Sequence, residues 1–184
     1  LNAMAKAGVF RLGGTLVGTH AFRLYSAELG VRFEDALAAT ADVDIAAFEN
    51  LKLVIEDEVD PALPETFRDL NLQPAAGIDR KNLEPLGVYA QALPFLNFLI
   101  AEPIAAVALY RSGVLVQIPR PERYAVHKLI VAARRHASSA LKAKKDLAQA
   151  EILFEILGED RPSELKEAFR VALETGPKWR EAIE

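Results

Sequence analysis

Pro119-Arg120-Pro121 divides this 184-residue chain into two stretches of different periodicity. Prolines that close together continue neither a sheet ladder nor a helix interior. Before them the apolar residues come in short runs stopped by glycine and proline, as in short strands and turns. After them the apolar residues recur at helical spacing. The expected class is α+β, with an α+β core over residues 1–119 and a helical region over residues 120–184. An apolar share of 51% supports a real core and argues against disorder.

Along the first stretch, residues 1–7 read as a helix and Val9-Phe10-Arg11-Leu12 as a short strand stopped by Gly13-Gly14. Leu16 to Leu29 reads as a helix ended by Gly30, with Val17, Ala21, Leu24 and Leu29 at helical spacing. Phe33 to Ala39 reads as a short helix or loop, Val43 to Phe48 as a strand, and Leu51 to Glu58 as a helix or strand. Residues 60–85 hold four of the ten prolines, so an irregular stretch is expected there. Leu86 to Glu102 reads as a helix broken at Pro94. Ile104–Tyr110 and Val114–Ile118 flank Arg111-Ser112-Gly113, a hairpin signal. Three helices are expected next: Glu122 to Leu141, Lys144 to Leu157 with Gly158 as its stop, and Pro162-Ser163 to about Thr175 with Ser163 as cap. Residues 177–184 add a last turn.

The chain has no cysteine, which removes disulfides, thiolate zinc sites and cysteine nucleophiles, and fits a reducing cytoplasm. No membrane partner is expected, because the most apolar stretch, Ala90 to Ile100, is too short to span a bilayer. The start at Leu1 reads as a piece of a longer protein. A net charge of −4 hides an asymmetry. Residues 28–102 hold 15 acids and 5 bases, whereas residues 120–145 hold 8 bases and only Glu122 as acid. An acidic region beside a basic helical one suits carboxylates that hold metal and bases that hold phosphate; the rival reading is a solvated helix face.

Asp42 and Asp44 stand two apart on an expected strand, so both carboxylates face one way with Cα atoms roughly 6.6 Å apart. Such a pair repels unless a cation or water intervenes, and two metal ions held there clamp the attacking and leaving oxygens of nucleotidyl transfer. The rival is a solvent-facing edge strand. Gly13-Gly14 lets backbone approach a ligand, and a following helix aims its first N–H groups at phosphate, with Thr15 and Thr19 as added donors. The segment is neither a Walker A loop nor a dinucleotide fingerprint, and its rival reading is a tight strand-to-helix turn.

Strand, Gly-Gly-Thr, helix and Asp-x-Asp strand in this order resemble the polymerase-β-like nucleotidyltransferases. Residues 13–22, Gly-Gly-Thr-Leu-Val-Gly-Thr-His-Ala-Phe, and residues 40–45, Thr-Ala-Asp-Val-Asp-Ile, are similar to segments of a bacterial family in that superfamily. Pro121 to Leu129 resembles its P-x-R-[FY]-x-x-H-K-L stretch, and Lys144-Lys145-Asp146-Leu147 the K-D-[IL] element of more distant AbiEii-type toxins. The resemblance implies a polymerase-β-like core with a mixed sheet, followed by a C-terminal helical bundle. It implies that Asp42 and Asp44 are catalytic and hold Mg²⁺, as two ions. Gly13, Gly14 and Thr15 would seat the β- and γ-phosphates of a nucleoside triphosphate, with Thr19 beside them. Lys128 would neutralise phosphate charge, Lys145 would be a second phosphate contact, and Asp146 would orient Lys145 or position a substrate hydroxyl. For each the rival is bland: a surface lysine, a solvated ion pair, or in His127 a packed helical histidine.

The superfamily takes a third carboxylate from a later strand, often followed by Leu-Thr-Pro, and no such segment occurs here. Either a segment is missing between Lys81 and Asn82, or Glu56, Asp57 or Asp79 substitutes, or the domain is catalytically impaired. The resemblance therefore implies Mg²⁺-dependent transfer of a nucleoside monophosphate to an RNA end, a protein or a small molecule. The alternatives are a degenerate nucleotide- or partner-binding module and a toxin held by an antitoxin protein.

Overall fold

A computed structural model describes residues 1–6, 8–11, 13–38, 44–46, 80–83, 88–91, 95–109, 112–175 and 179–180. The chain divides into two units, residues 1–17 with 44–118 and residues 18–43 with 119–184. The class is α+β, with antiparallel strand pairs and many helices. No helix among the described residues is long and apolar enough to cross a membrane.

The first unit contains α1 (Asn2–Lys6), β1 (Thr15–Val17), β2 (Asp44–Ala46), β3 (Arg80–Leu83), β4 (Val88–Gln91), α4 (Leu96–Leu99), β5 (Ile104–Ala108) and β6 (Val114–Ile118). Its described strands pair as β1–β2, β3–β4 and β5–β6, all antiparallel, where a mixed sheet was expected. The predicted hairpin is present, turning at Gly113 with φ +88°. Along β6, Val114, Val116 and Ile118 are buried while Leu115 faces out, the period of two that buries one face. β1 is buried throughout and lies against β6. Each large apolar side chain buried here contributes up to about 2–3 kcal/mol.

Of the predicted strand Val9–Leu12, the described residues 9–11 form a turn instead. The amide of Gly14 donates to the Val9 carbonyl at 2.9 Å and that of Gly13 to the Phe10 carbonyl at 3.3 Å, with Gly13 at φ +89°. Glycine at a left-handed position lets the chain double back, so the apolar Val9 and Phe10 are buried by the turn rather than by a ladder. The predicted helix over residues 86–102 is replaced by β4 and the short α4. Val88 and Tyr89 favour an extended chain, and Pro94 blocks a helix from running through. Lys81 and Asn82 are successive residues of β3, opposite Ala90 and Tyr89. The elements expected over residues 51–58 and the irregular stretch up to residue 79 lie outside the described residues.

The second unit contains α2 (Gly18–Glu28), α3 (Asp35–Ala38), α5 (Pro121–Ala133), a 3₁₀ turn (Ala137–Ser139), α6 (Ala140–Asp160) and α7 (Pro162–Glu174). Helices α5, α6 and α7 pack on one another, and α3 packs on α2 and α6. An aromatic cluster fills the interior. Phe22 stacks on Phe33 with centroids 4.4 Å apart, and Tyr25 meets Tyr124 edge-on at 5.3 Å. The Tyr25 hydroxyl donates to the Pro119 carbonyl at 2.8 Å. Arg161 ties its loop to α2 and α5 through Glu28 at 3.0 Å and the buried Glu122 at 3.6 Å.

Three helix boundaries differ from expectation. The helix begun at Pro121 stops at Ala133, and α6 starts at Ala140, so the continuous helix to Leu141 is two helices with Arg134–Ser139 between them. Gly158 does not end α6; a Cβ there would meet open space, and the roughly 1 kcal/mol propensity loss of one glycine is small against a packed 21-residue helix. Ser163 is not the cap of α7. Arg161 holds that position and Pro162 opens the helix, where its missing N–H is no loss.

Candidate nucleotide-binding site

In the first unit the residue of interest is Asp44, exposed at the start of β2. Its register partner is Val17, while Ala46 lies opposite Thr15. The Gly13-Gly14 bend therefore stands at the other end of the pair, about 10 Å along β1 at ~3.4 Å per residue. Asp42 lies outside the described residues, as do Glu56, Asp57 and Asp79. Thr15 is buried, at 1% exposure. At Gly14 a Cβ would sit 2.6 Å from the Val9 carbonyl oxygen and 2.7 Å from Val9 Cγ1. That glycine is explained by close packing of the turn, the tight-turn reading of the motif.

Because Gly13-Gly14 precedes a strand rather than a helix, it does not stand at a helix N-terminus. The glycine that does is Gly18, at φ +64°, the residue after Val17. Thr19 and His20 follow it in the first turn of α2. The first N–H groups of a helix have no intrahelical acceptor and carry partial positive charge. Of the four predicted phosphate-seating positions, Thr19 alone lies there.

The second unit also brings Lys128, Lys145 and Asp146 together. Asp146 on α6 is buried, at 4% exposure. Lys128 Nζ donates to Asp146 Oδ1 at 2.6 Å, and Arg135 Nε donates to Oδ2 at 2.6 Å. Both carboxylate oxygens are thus taken by cations, which offsets the cost of burying them. Asp146 orients Lys128 and Arg135 by direct bonds. Lys145 feels the same charges: burial and then Lys128 lower its pKa, while Asp146 opposes them. Three cations, Lys128, Arg135 and Lys145, thus gather near this one carboxylate. Lys128 Nζ also lies 5.2 Å from the centroid of the Tyr124 ring, one helical turn earlier on α5.

His127 is neutral in this setting. Burial, then the charge of Lys128, lowers its pKa to about 4, and its buried Nδ1 has no hydrogen-bond partner among the described residues. The packed-histidine reading fits it.

Residues that sequence reasoning passed over complete the arrangement. Tyr124 donates its hydroxyl proton to the Gly18 carbonyl at 2.9 Å and lies 3.2 Å from Gln149 Oε1. Gln149, fully buried on α6, donates through Nε2 to the Leu37 carbonyl at 2.7 Å. Arg135 was visible only as one of eight bases, yet it stands seven residues after Lys128, two turns along one face had the helix continued. Gln149 offered its own signal, a polar residue three positions after Asp146 on the inner face of an apolar helix.

A family model described as nucleotidyltransferase matches residues 1–82 and 72–174. No curated protein and no solved structure matches the chain. With nearly the whole length matched, the chain belongs to this nucleotidyltransferase family.

Proposed function

We propose that this nucleotidyltransferase moves a nucleoside monophosphate from a nucleoside triphosphate to an acceptor on an RNA end, a protein or a small molecule, with Mg²⁺ as cofactor. The bond from the α-phosphorus to the acceptor oxygen forms as the bond to pyrophosphate breaks. The observation that carries this reading is Asp44, an exposed carboxylate opposite Val17, the last residue before the chain enters α2. Asp42 precedes it by two residues. Carboxylate oxygens are the donors Mg²⁺ takes, and one or two suffice because substrate phosphates and waters complete its shell. Among the described residues no group of three His, Cys, Asp or Glu comes together; the reading needs only the pair. Bound there, Mg²⁺ would neutralise charge on the triphosphate and polarise its oxygens.

In this reading the first turn of α2, Gly18 and Thr19, takes phosphate oxygens in place of Gly13, Gly14 and Thr15. Lys128 and Lys145 neutralise phosphate charge, Lys128 as a compact cation held by Asp146. Catalysis is positioning plus charge neutralisation.

Titration of ATP, CTP, GTP and UTP with and without Mg²⁺, beside a labelled-nucleotide transfer assay, tests the reading. Mg²⁺-dependent binding with transfer that Asp44→Ala abolishes is the expected result. Binding without transfer would replace it with a nucleotide-binding module, and absence of binding would remove both.

A further inference from the structure

We propose that Tyr124 is a positioning residue of the phosphate subsite, its hydroxyl aiming the first turn of α2 while its ring supports Lys128. The inference rests on the reading that this turn takes phosphate. Tyr124 is fully buried, and its hydroxyl reaches the Gly18 carbonyl from 106 residues away in sequence. Gly18 has no side chain to lock it and sits at φ +64°, so an outside contact adds to what fixes the backbone at the entry to α2. In a planar trans peptide the carbonyl and the following N–H point in opposite directions. A bond that fixes the Gly18 carbonyl therefore fixes the Thr19 N–H, aimed away from Tyr124. That N–H is one of the first in the helix, which lack an intrahelical acceptor.

The same side chain works on a second group. Lys128 is four residues on, on the same helix face, and its ammonium lies 5.2 Å from the ring centroid. Asp146 also holds that ammonium, at 2.6 Å. One tyrosine thus links a backbone donor and a cation, the two kinds of group that grip a phosphate. Gln149 packs beside it, its Oε1 3.2 Å from the hydroxyl whose proton goes to Gly18, and is itself anchored on the Leu37 carbonyl. The competing account is that Tyr124 only fills the core beside Tyr25 and Phe22. A phenyl ring would fill that space as well, so the hydroxyl separates the two accounts.

The test is calorimetric titration of the full chain with inorganic tripolyphosphate in Mg²⁺, and with Mg²⁺ alone, in the parent, Tyr124→Phe and Gln149→Leu, at a temperature where circular dichroism shows each folded. Tyr124→Phe is expected to weaken tripolyphosphate about fivefold to tenfold, the loss of one buried hydrogen bond, and to leave Mg²⁺ affinity unchanged. Gln149→Leu, which keeps the bond to Gly18, is expected to stay within about twofold of the parent, since Gln149 lies beside the hydroxyl without taking its proton. Unchanged tripolyphosphate affinity in Tyr124→Phe overturns the inference, as does equal weakening of Mg²⁺ or an equal loss in Gln149→Leu. If the parent binds no tripolyphosphate, the phosphate reading itself fails first. Amide exchange in the parent gives an independent measure: tripolyphosphate should slow exchange of the Thr19 N–H, and no slowing overturns the inference even if Tyr124→Phe does not fold.

Discussion

Asp44 and Asp146 are the same residue in opposite circumstances. Asp146 is buried on α6 with each oxygen bonded to a cation at 2.6 Å, whereas Asp44 is exposed at the first position of a three-residue strand. A carboxylate can leave water only where cations meet it with good geometry, so Asp146 is committed to Lys128 and Arg135. An exposed carboxylate keeps its hydration and is available to an ion from solution. The contrast separates a carboxylate tied up in internal ion pairs from one open to solvent, although sequence motifs put both in the same class.

The strongest way to break this contrast is Asp44→Ala. Transfer of labelled nucleotide should fall by about 10³-fold or more, as for loss of a principal electrostatic contributor, while the unfolding midpoint stays where it was. Activity within tenfold of the parent would remove Asp44 from the chemistry. Asp146→Ala should do the reverse to stability. Leaving Lys128 and Arg135 unpaired should cost about 3 kcal/mol in urea unfolding, the low end for a broken buried pair because Arg135 is partly exposed. A loss under about 1 kcal/mol would place the cluster among ordinary surface ion pairs.

Gly14→Ala sharpens the comparison from the first unit. A Cβ 2.6 Å from a backbone oxygen forces the turn open, at about 1–3 kcal/mol of stability. Affinity for Mg²⁺ and triphosphate, measured calorimetrically, should not change. Weakened affinity with unchanged stability would return the phosphate seat to the Gly13-Gly14 bend.

Much of this was legible because local chemistry decided it. The hairpin around Gly113 and the helices after Pro121 follow from turn residues and apolar spacing that agree with their tertiary setting. Lys128 lies on α5 and Lys145 and Asp146 on α6, both read as helical from their apolar spacing. Local rules misled where a distant partner outweighed them. Val9-Phe10 has strand composition, but the Gly14 amide returns to the Val9 carbonyl and closes a turn. The break after Ala133 interrupts a segment of helical composition at Arg134-Arg135-His136, where the Arg135 side chain joins Asp146 on the next helix. The choice between Gly13-Gly14 and Gly18 depended on which glycine ends a strand, and a boundary shift of a few residues reverses it. The links from Tyr124 to Gly18 and from Gln149 to Leu37 join residues more than 100 positions apart, which no window of sequence contains.

The smallest expected effect tests the neutrality of the cluster's neighbour. His127 has a folded-state pKa of about 4, below the ordinary value near 6.5, because burial and Lys128 disfavour its charged form. The unfolded chain therefore binds this proton more readily than the folded one. The stability linked to His127 is fully present above pH 6.5 and is lost as pH falls from about 6.5 to about 4. The full shift sets an upper bound near 3 kcal/mol, and about 1–2 kcal/mol is expected once the protein relaxes around the charge. His127→Leu keeps an apolar side chain in place and removes the titration. The urea midpoint of the parent should fall relative to that of the variant between pH 7.5, 6 and 4.5, with the carboxylate contributions common to both cancelling in the difference. Parallel curves would mean that the imidazolium finds a partner, and the local charge around Asp146 would then carry one more cation in acid.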